Sequence, residues 1–394
     1  MGDFIFAAIG DIYDKPLAGA YSVLKARGVS AVVTSGFIEK QARSVRLLPF
    51  DFARGEDFAA AVTAAHAQPA EDIVFAEVGG YRFILDNERS GLREETRRKF
   101  LDPRVAELKG RRPFFFVQRF HPAGTCAGDY TPGQDGGVST EFLSAFPNAV
   151  ALAEGGHLPL TDDRAVKQGD FGFTAVQLSS YRAPSLLGGR ENALAGARRA
   201  DDRVPERQMP PLDPATKRWR PALIVRVTEA EIVFSRISLL TGESLGADWT
   251  MPLDAYGTLS YTNQAARRPL PTFAPGAQVK IACGRGRTTR GAETDQVTVS
   301  WPQTATPRPL DYSVRVLCAE GGVEMVVAEK RVYSPGIFGP ASAEPPRATC
   351  VFAQSELFTG IRLRFEVRAV DAFGRESAAL AGFATVGERA KRRG

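Results

Sequence analysis

The stretch Pro113–Tyr181, "PFFFVQRFHPAGTCAGDYTPGQDGGVSTEFLSAFPNAVALAEGGHLPLTDDRAVKQGDFGFTAVQLSSY", decides how this chain is read. It holds three short apolar runs, "PFFFVQRF", "AVALAEGG" and "GFTAVQLSS", separated by a helical segment, "TEFLSAFP", and by loops. Runs of that length with no polar alternation indicate strands buried on both faces, as in parallel sheets. Each run delivers polar residues into the loop beyond it: Arg119-Phe120-His121-Pro122 after the first, Glu154-Gly155-Gly156-His157 after the second. In open α/β sheets such loops are where ligands bind.

The same rhythm extends upstream. "FIFAAIG" reads as a strand ending at Gly10 and followed by Asp11, and "PLAGAYSVLKARG" as a helix closed by Gly28. "VSAVVTSG" is a second strand, "GEDFAAAVTAAHAQ" a helix, "DIVFAEVGG" a third strand, and "REETRRKFLDPRVAELKG" a charged helical stretch interrupted at Pro103. Strands alternating with helices predict an α/β layered fold. Residues 187–220 are basic and loop-rich. Beyond them "ALIVRVTEAEIVFSRISLL" and "TGESLGADWTMPL" read as terminal strands. From Pro271 the pattern is all-β. The expected division is therefore 1–270, with 190–220 irregular and 221–270 as terminal strands, then a β-sandwich over 271–388 and a basic tail over 389–394.

Bulk properties narrow the function classes. The net charge of +5 over 394 residues is modest and argues against a nucleic-acid partner. No run of about 18 apolar residues is present, so no membrane span is expected. The first residues already read as a strand, so no signal peptide is expected; the compartment stays open between cytoplasmic and exported after removal of a leader. Phe6 stands where a myristoylation signal needs Ser or Thr. Cys126, Cys283, Cys318 and Cys350 show no zinc spacing. Cys318 and Cys350 lie in strand-like runs, as buried thiols or as a disulfide.

The stretch quoted first resembles the calcineurin-like metallophosphoesterases, and in particular a bacterial branch with a "QH…HP" loop, an "SGHSHYPLNDPRS" segment and a "GDF" strand. That branch also continues through "TGE…W..P" strands into a fibronectin type III-like domain. The resemblance implies a two-sheet α/β/β/α sandwich followed by an all-β fibronectin type III-like sandwich. Trp301 and "FEVRAVDAFGRES" fit the latter, with Phe365 where tyrosine is common. It also implies a dinuclear metal centre at the sheet edge, whose ions activate water and clamp phosphate.

Carried over position by position, the ligand set is substituted. Asp11 matches the first aspartate and Tyr13 stands for its histidine; Phe37 stands for the bridging aspartate, and Gly80 and Tyr81 for an asparagine–histidine pair. Arg119 or Phe120 stands for a further histidine and Gly155 for another, while His157 keeps its place. The chain holds three histidines, His66, His121 and His157. A ring at Phe37 leaves paired divalent ions without their shared negative charge. Arginine is never a donor ligand.

The expected function is a catalytically inactive phosphoesterase-like protein with a binding or structural role. A remodelled site of Asp11, Tyr13, Phe37, Tyr81, Arg82, Arg119, His121, Glu154 and His157 would take an anionic small molecule or a glycan. Asp11 itself reads as a helix cap, as the partner of an arginine, or as one polar wall of that pocket. A protein partner could dock on the fibronectin-like domain. No cofactor is expected. The alternative is an active metal-dependent hydrolase with a non-standard or mononuclear site, holding one Mn or Zn ion on Asp11 and His157. Two weaker constellations are a Ser179 or Ser180, His157, Asp162 triad and a Cys126–His121 pair. "CGRGRTTRG", Cys283–Gly291, reads as an exposed basic turn.

Overall fold

The computed structural model describes residues 3–12, 17, 19–36, 44–54, 57–89, 91–126, 135–155, 158–169, 171–181, 207–208, 219–287, 293–304, 307–320, 323–339 and 345–387. It divides into two compact units. One comprises Met1–Asp202, Pro214–Arg267 and Phe338–Ser342; the other comprises Arg203–Asp213, Arg268–Ile337 and Ala343–Gly394.

The first unit is a mixed α/β fold built on two sheets. Its strands in chain order are β1 (Phe4–Ile9), β2 (Ala31–Gly36), β3 (Ser44–Pro49), β4 (Ile73–Val78), β5 (Tyr81–Asp86), β6 (Phe114–Gln118), β7 (Ala149–Ala153), β8 (Val166–Gln168) and β9 (Thr174–Gln177). After the two-residue β10 (Arg207–Gln208) come β11 (Pro221–Val227), β12 (Glu231–Ser238) and β13 (Trp249–Pro252). One sheet runs β13-β12-β11-β1-β2-β3 and the other β4-β5-β6-β7-β9-β8. Strands β1 and β2 are parallel, as are β5, β6, β7 and β9. The central strands of each sheet are buried along their whole length, which is why they read as unbroken apolar runs.

Alternate side chains of the two sheets interdigitate in one core. Phe6 lies edge-on to Phe83 and Phe115 at centroid distances of 5.3 and 4.8 Å, with Val150, Leu152, Val176, Val225 and Phe234 around them. The opposite face of the first sheet is covered by α1 (Ala20–Ala26) and α2 (Phe58–Ala67) through Leu24, Phe58 and Val62. The opposite face of the second packs on Leu101, Leu108, Phe142 and Phe146. These come from the helical stretch containing α3 (Glu94–Thr96) and α4 (Val105–Leu108), and from α5 (Val138–Leu143) and the residues just after it. Pro103 does interrupt this stretch: the backbone passes through a π turn at Arg97–Leu101 and a 3-10 turn at Asp102–Arg104.

The second unit is all-β. Strands β14 (Lys280–Arg287), β15 (Glu293–Pro302) and β18 (Arg347–Ala353) form one sheet. In the other, β16 (Asp311–Glu320), β17 (Val323–Tyr333), β19 (Arg362–Val370) and β20 (Leu380–Thr385) follow the order β10-β17-β16-β19-β20. Trp301, Tyr312, Phe352 and Phe365 are buried together between the sheets.

Several readings need correction. "CGRGRTTRG" is not simply a turn: Cys283–Arg287 belong to strand β14, paired with β15. Within the segment read as irregular and assigned to the first unit, Arg207–Gln208 pair with β17 of the second. Strands β3, β5 and β8 and helix α6 (Tyr261–Arg267) were not anticipated. All four cysteines are free thiols, and burial pushes Cys350 up to about 12.

His66 sits on α2, buried under the end of the first sheet, with Nε2 2.9 Å from Thr34 Oγ1 and Nδ1 3.1 Å from Ser44 Oγ. Burial, with a smaller repulsion from Arg46, holds its imidazole down at about 4. The folded state therefore binds this proton less readily than the unfolded chain, so the contribution is full above about pH 6.5 and lost as pH falls towards 4. About 3 kcal/mol of stability should disappear over that window. Denaturant titrations of the wild type and His66→Gln should show the difference between the two shrinking as pH is lowered.

Candidate functional site

The carboxyl ends of the parallel strands of both sheets meet at one edge. The chain turns sharply there because two glycines permit it. Gly36, at the end of β2, has φ +129°, and a Cβ on it would lie 2.8 Å from the Ile12 nitrogen. A Cβ on Gly10 would lie 2.5 Å from the Ser179 carbonyl oxygen, so the loops after β1 and β9 pass closer than any side chain allows. The Tyr181 N–H donates to the Gly10 carbonyl at 2.8 Å, and the Ile12 N–H to the Ser35 carbonyl at 3.0 Å.

Glu154, the first residue beyond β7, is 1% exposed and lies at the centre of this edge. Its Oε2 accepts the Asp11 N–H at 3.0 Å and the Ser35 hydroxyl at 2.6 Å. Its Oε1 faces the Arg119 Nε at 3.8 Å. One carboxylate thus ties the ends of β1, β2 and β6 to β7. Asp11 adopts φ 46°, unusual for a residue with a side chain, and its Oδ2 accepts the Ser180 hydroxyl at 2.7 Å. Ser179, beside it, also has positive φ (63°), so two of the three such non-glycine residues described fall at this edge.

The structure brings Asp11, Arg119 and Glu154 together. His121 is fully buried in the loop after β6, where Asp135 accepts from the backbone N–H groups of Ala123 and Gly137, and the Asp135 N–H donates to the His121 carbonyl. Tyr81 and Arg82 do not join the cluster. Gly79 and Gly80 form a tight hairpin turn between β4 and β5, and Tyr81 opens β5 at the opposite end of the sheet. There its ring stacks on Phe4, 5.5 Å away, under the Arg112 guanidinium, and Arg82 is exposed and donates to the Glu107 carbonyl. Tyr13, Phe37 and His157 lie outside the described residues.

What reaches the edge from β5 is its far end, Asp86-Asn87-Glu88-Arg89. With Ser35, Ser44, Val45 and Arg119 these residues line a small cavity between the ends of β2, β5 and β6 and the start of β3. Asn87 bridges the sheets' margins, accepting the Val45 N–H at 2.6 Å and donating to the Glu71 carbonyl at 3.0 Å. Glu88 accepts from Arg93 and from the Thr96 hydroxyl. Asp86 accepts the Glu88 N–H on Oδ1, while burial and the nearby carboxylates of Glu88, Asp135 and Asp72 push it up to about 7. These residues carried a sequence signal: a Gly-Gly pair between apolar runs marks a two-residue hairpin, which puts the end of the following strand at the same edge as the ends of the parallel strands.

The donor chemistry described here does not fit a dinuclear centre. Ser35 and Gly36 supply no carboxylate at the end of β2, the Glu154 carboxylate is committed to an amide and a hydroxyl, and a guanidinium stands opposite it. Among the described residues no group of three or more His, Cys, Asp or Glu is placed to hold a metal ion. The triad's acid and one of its two candidate serines are engaged elsewhere, and both members of the Cys126–His121 pair are buried. Both Asp162 oxygens hold Arg164, Ser180 donates to Asp11, and Cys126 is buried in the core under α5.

No family model and no curated protein matches this chain. Among solved structures it is similar to a conserved uncharacterized protein from Streptococcus pneumoniae TIGR4, described as a predicted phosphoesterase. The likeness covers 64% of this chain and 99% of that chain, at 9% identity and a TM-score of 0.30. A likeness of that degree carries no argument about activity.

Proposed function

We propose that this protein is a metallophosphoesterase-like scaffold without dinuclear chemistry, whose remodelled edge binds a small anion-bearing ligand. The observation that carries this reading is Glu154. A buried carboxylate at the end of β7 holds the ends of β1 and β2 by hydrogen bonds and faces a guanidinium, at the edge where the resemblance would place two cations. A fixed Glu–Arg arrangement does the electrostatic work of holding the loops together internally and needs no divalent ion. Arg119 keeps a third of its side-chain surface exposed, and with the exposed Arg89 it offers guanidinium donors to an anion such as phosphate or a sugar phosphate. The second unit's strand order, three strands facing a larger sheet that includes β17-β16-β19-β20, supports a fibronectin type III-like module serving as a spacer or docking element.

A second reading draws on the strained backbone at Asp11 and Ser179: a mononuclear hydrolase holding one Mn or Zn ion on Asp11 and His157. Metal titration by calorimetry, with hydrolysis assays on a phosphomonoester and a phosphodiester, separates the two. The scaffold reading expects no stoichiometric metal and no turnover with either ion. It also expects phosphate binding that Arg119→Ala weakens by about tenfold, the loss of one charge-assisted contact. Stoichiometric metal with turnover overturns it.

Two further outcomes follow from the geometry. Glu154→Gln removes the negative charge that strengthens both hydrogen bonds on Oε2 and that faces Arg119, so chemical denaturation should show a loss of roughly 1–3 kcal/mol. Asp86 titrates above its ordinary range, so the proton it carries favours the folded state. That contribution is complete below about pH 4 and lost as pH rises through about 7. Asp86→Asn should therefore exceed the wild type in stability at pH 8 by roughly 2–4 kcal/mol, and the advantage should vanish towards pH 4.

A further inference from the structure

We propose that Asp86 is the specificity-determining residue of the cavity at the edge of the first unit. It admits an oxyanion that carries its own hydroxyl proton and disfavours one of the same shape and charge that carries none. Resting on the reading of this edge as an anion site, the selectivity follows from the polar groups of the cavity wall. Most are engaged within the protein. The Ser35 hydroxyl donates to Glu154, and the Ser44 hydroxyl lies 3.1 Å from His66 Nδ1. Asn87 accepts the Val45 N–H and donates to the Glu71 carbonyl, and Glu88 accepts from Arg93 and from the Thr96 hydroxyl.

Asp86 differs from these. It lines the same cavity and is 1% exposed. Its Oδ1 accepts the Glu88 N–H at 2.9 Å, but its Oδ2 is buried with no hydrogen-bond partner among the described residues. The neighbouring strands do not supply one. Asp86 pairs in register with Ile73 of β4, which is apolar, and with Gln118 of β6. The Gln118 amide donates instead to Asp135 and Ser139. A ligand held by the guanidinium groups of Arg89 and Arg119 therefore also meets one buried acceptor. Its best complement presents oxygens to the arginines and a single O–H to Asp86.

The charges around Asp86 set the pH at which this discrimination works. Glu88, Asp135 and Asp72 act on it as carboxylates, Arg93 is engaged by Glu88 and Asp72, and Arg119 faces Glu154. Burial and those acids place its titration at about 7. Below that pH the carboxyl is neutral and its own proton can be donated to any oxyanion. Above it the carboxylate accepts from a ligand hydroxyl and repels a bare oxygen, so selectivity emerges as pH rises through about 7. A buried acceptor that the wrong ligand leaves unpaired discriminates more strongly than lost contact area does. Phosphate and sulfate isolate this effect: at pH 8 both are tetrahedral dianions, and only phosphate carries a hydroxyl.

The test is calorimetric titration of the full chain with inorganic phosphate and with sulfate at pH 8, and with sulfate again at pH 5.5, at constant ionic strength. Phosphate should bind at pH 8 at least about tenfold more tightly than sulfate. Sulfate keeps its charge over this range, and its affinity should rise about tenfold on acidification as Asp86 takes up its proton. Asp86→Asn replaces the acceptor with an amide that can donate to either anion, and the substitution is expected to stabilise the fold at pH 8. It should bring the two affinities to within about twofold and remove the pH dependence of sulfate binding. Equal affinities at pH 8, or a preference that persists in Asp86→Asn, overturn the proposal. If both anions bind equally and Arg119→Ala weakens both, only the selectivity falls and the anion site stands. Absence of binding by either anion overturns the site and the selectivity together.

Discussion

A carboxylate that accepts from two strand ends of the opposite sheet is the constraint on which the edge of the first unit depends. Strands β1 and β2 belong to one sheet and β6 and β7 to the other, so no backbone ladder links their ends. Apolar packing between the sheets fixes their separation but cannot fix the loops. Glu154 supplies that link: it pairs the Asp11 N–H, which the turn after Gly10 leaves without a strand partner, and the Ser35 hydroxyl. The positive φ at Asp11 is sustained because the amide has this acceptor and the side chain has Ser180. Remove the carboxylate, and the strain loses the hydrogen bond that sustains it.

Much of the layered architecture was legible in the sequence because parallel strands buried on both faces are written as unbroken apolar runs. "FFFVQ", "AVALA" and "TAVQ" could hardly be anything else between turn-forming segments. What escaped has an equally physical cause. β3, "SVRLLP", is an edge strand with a partly exposed outer half, so its pattern is weak. β14, "KIACGRGR", is exposed over most of its length and rich in glycine, and composition alone speaks for a turn; only pairing with β15 makes it a strand.

The candidate site was legible in part for the same reason. Asp11, Arg119 and Glu154 follow directly from asking what lies just past a buried strand. Read as a loop beyond a parallel strand, Gly79-Gly80 puts Tyr81 and Arg82 at the same edge. A hairpin there reverses the chain and moves the relevant residues five positions onward, to Asp86 and its neighbours. The Ser180–Asp11 bond joins residues 169 positions apart, and no local pattern encodes it. The uneven legibility of this edge is what loops positioned by a rigid scaffold would show.

The core and the edge of the first unit are held by different interactions. The shared core of Phe6, Phe83, Phe115 and Phe234 contains no residue from the edge cluster, and the edge cluster closes on itself through hydrogen bonds rather than through the core. A substitution at the edge therefore costs the loops their order before it costs the sheets their packing.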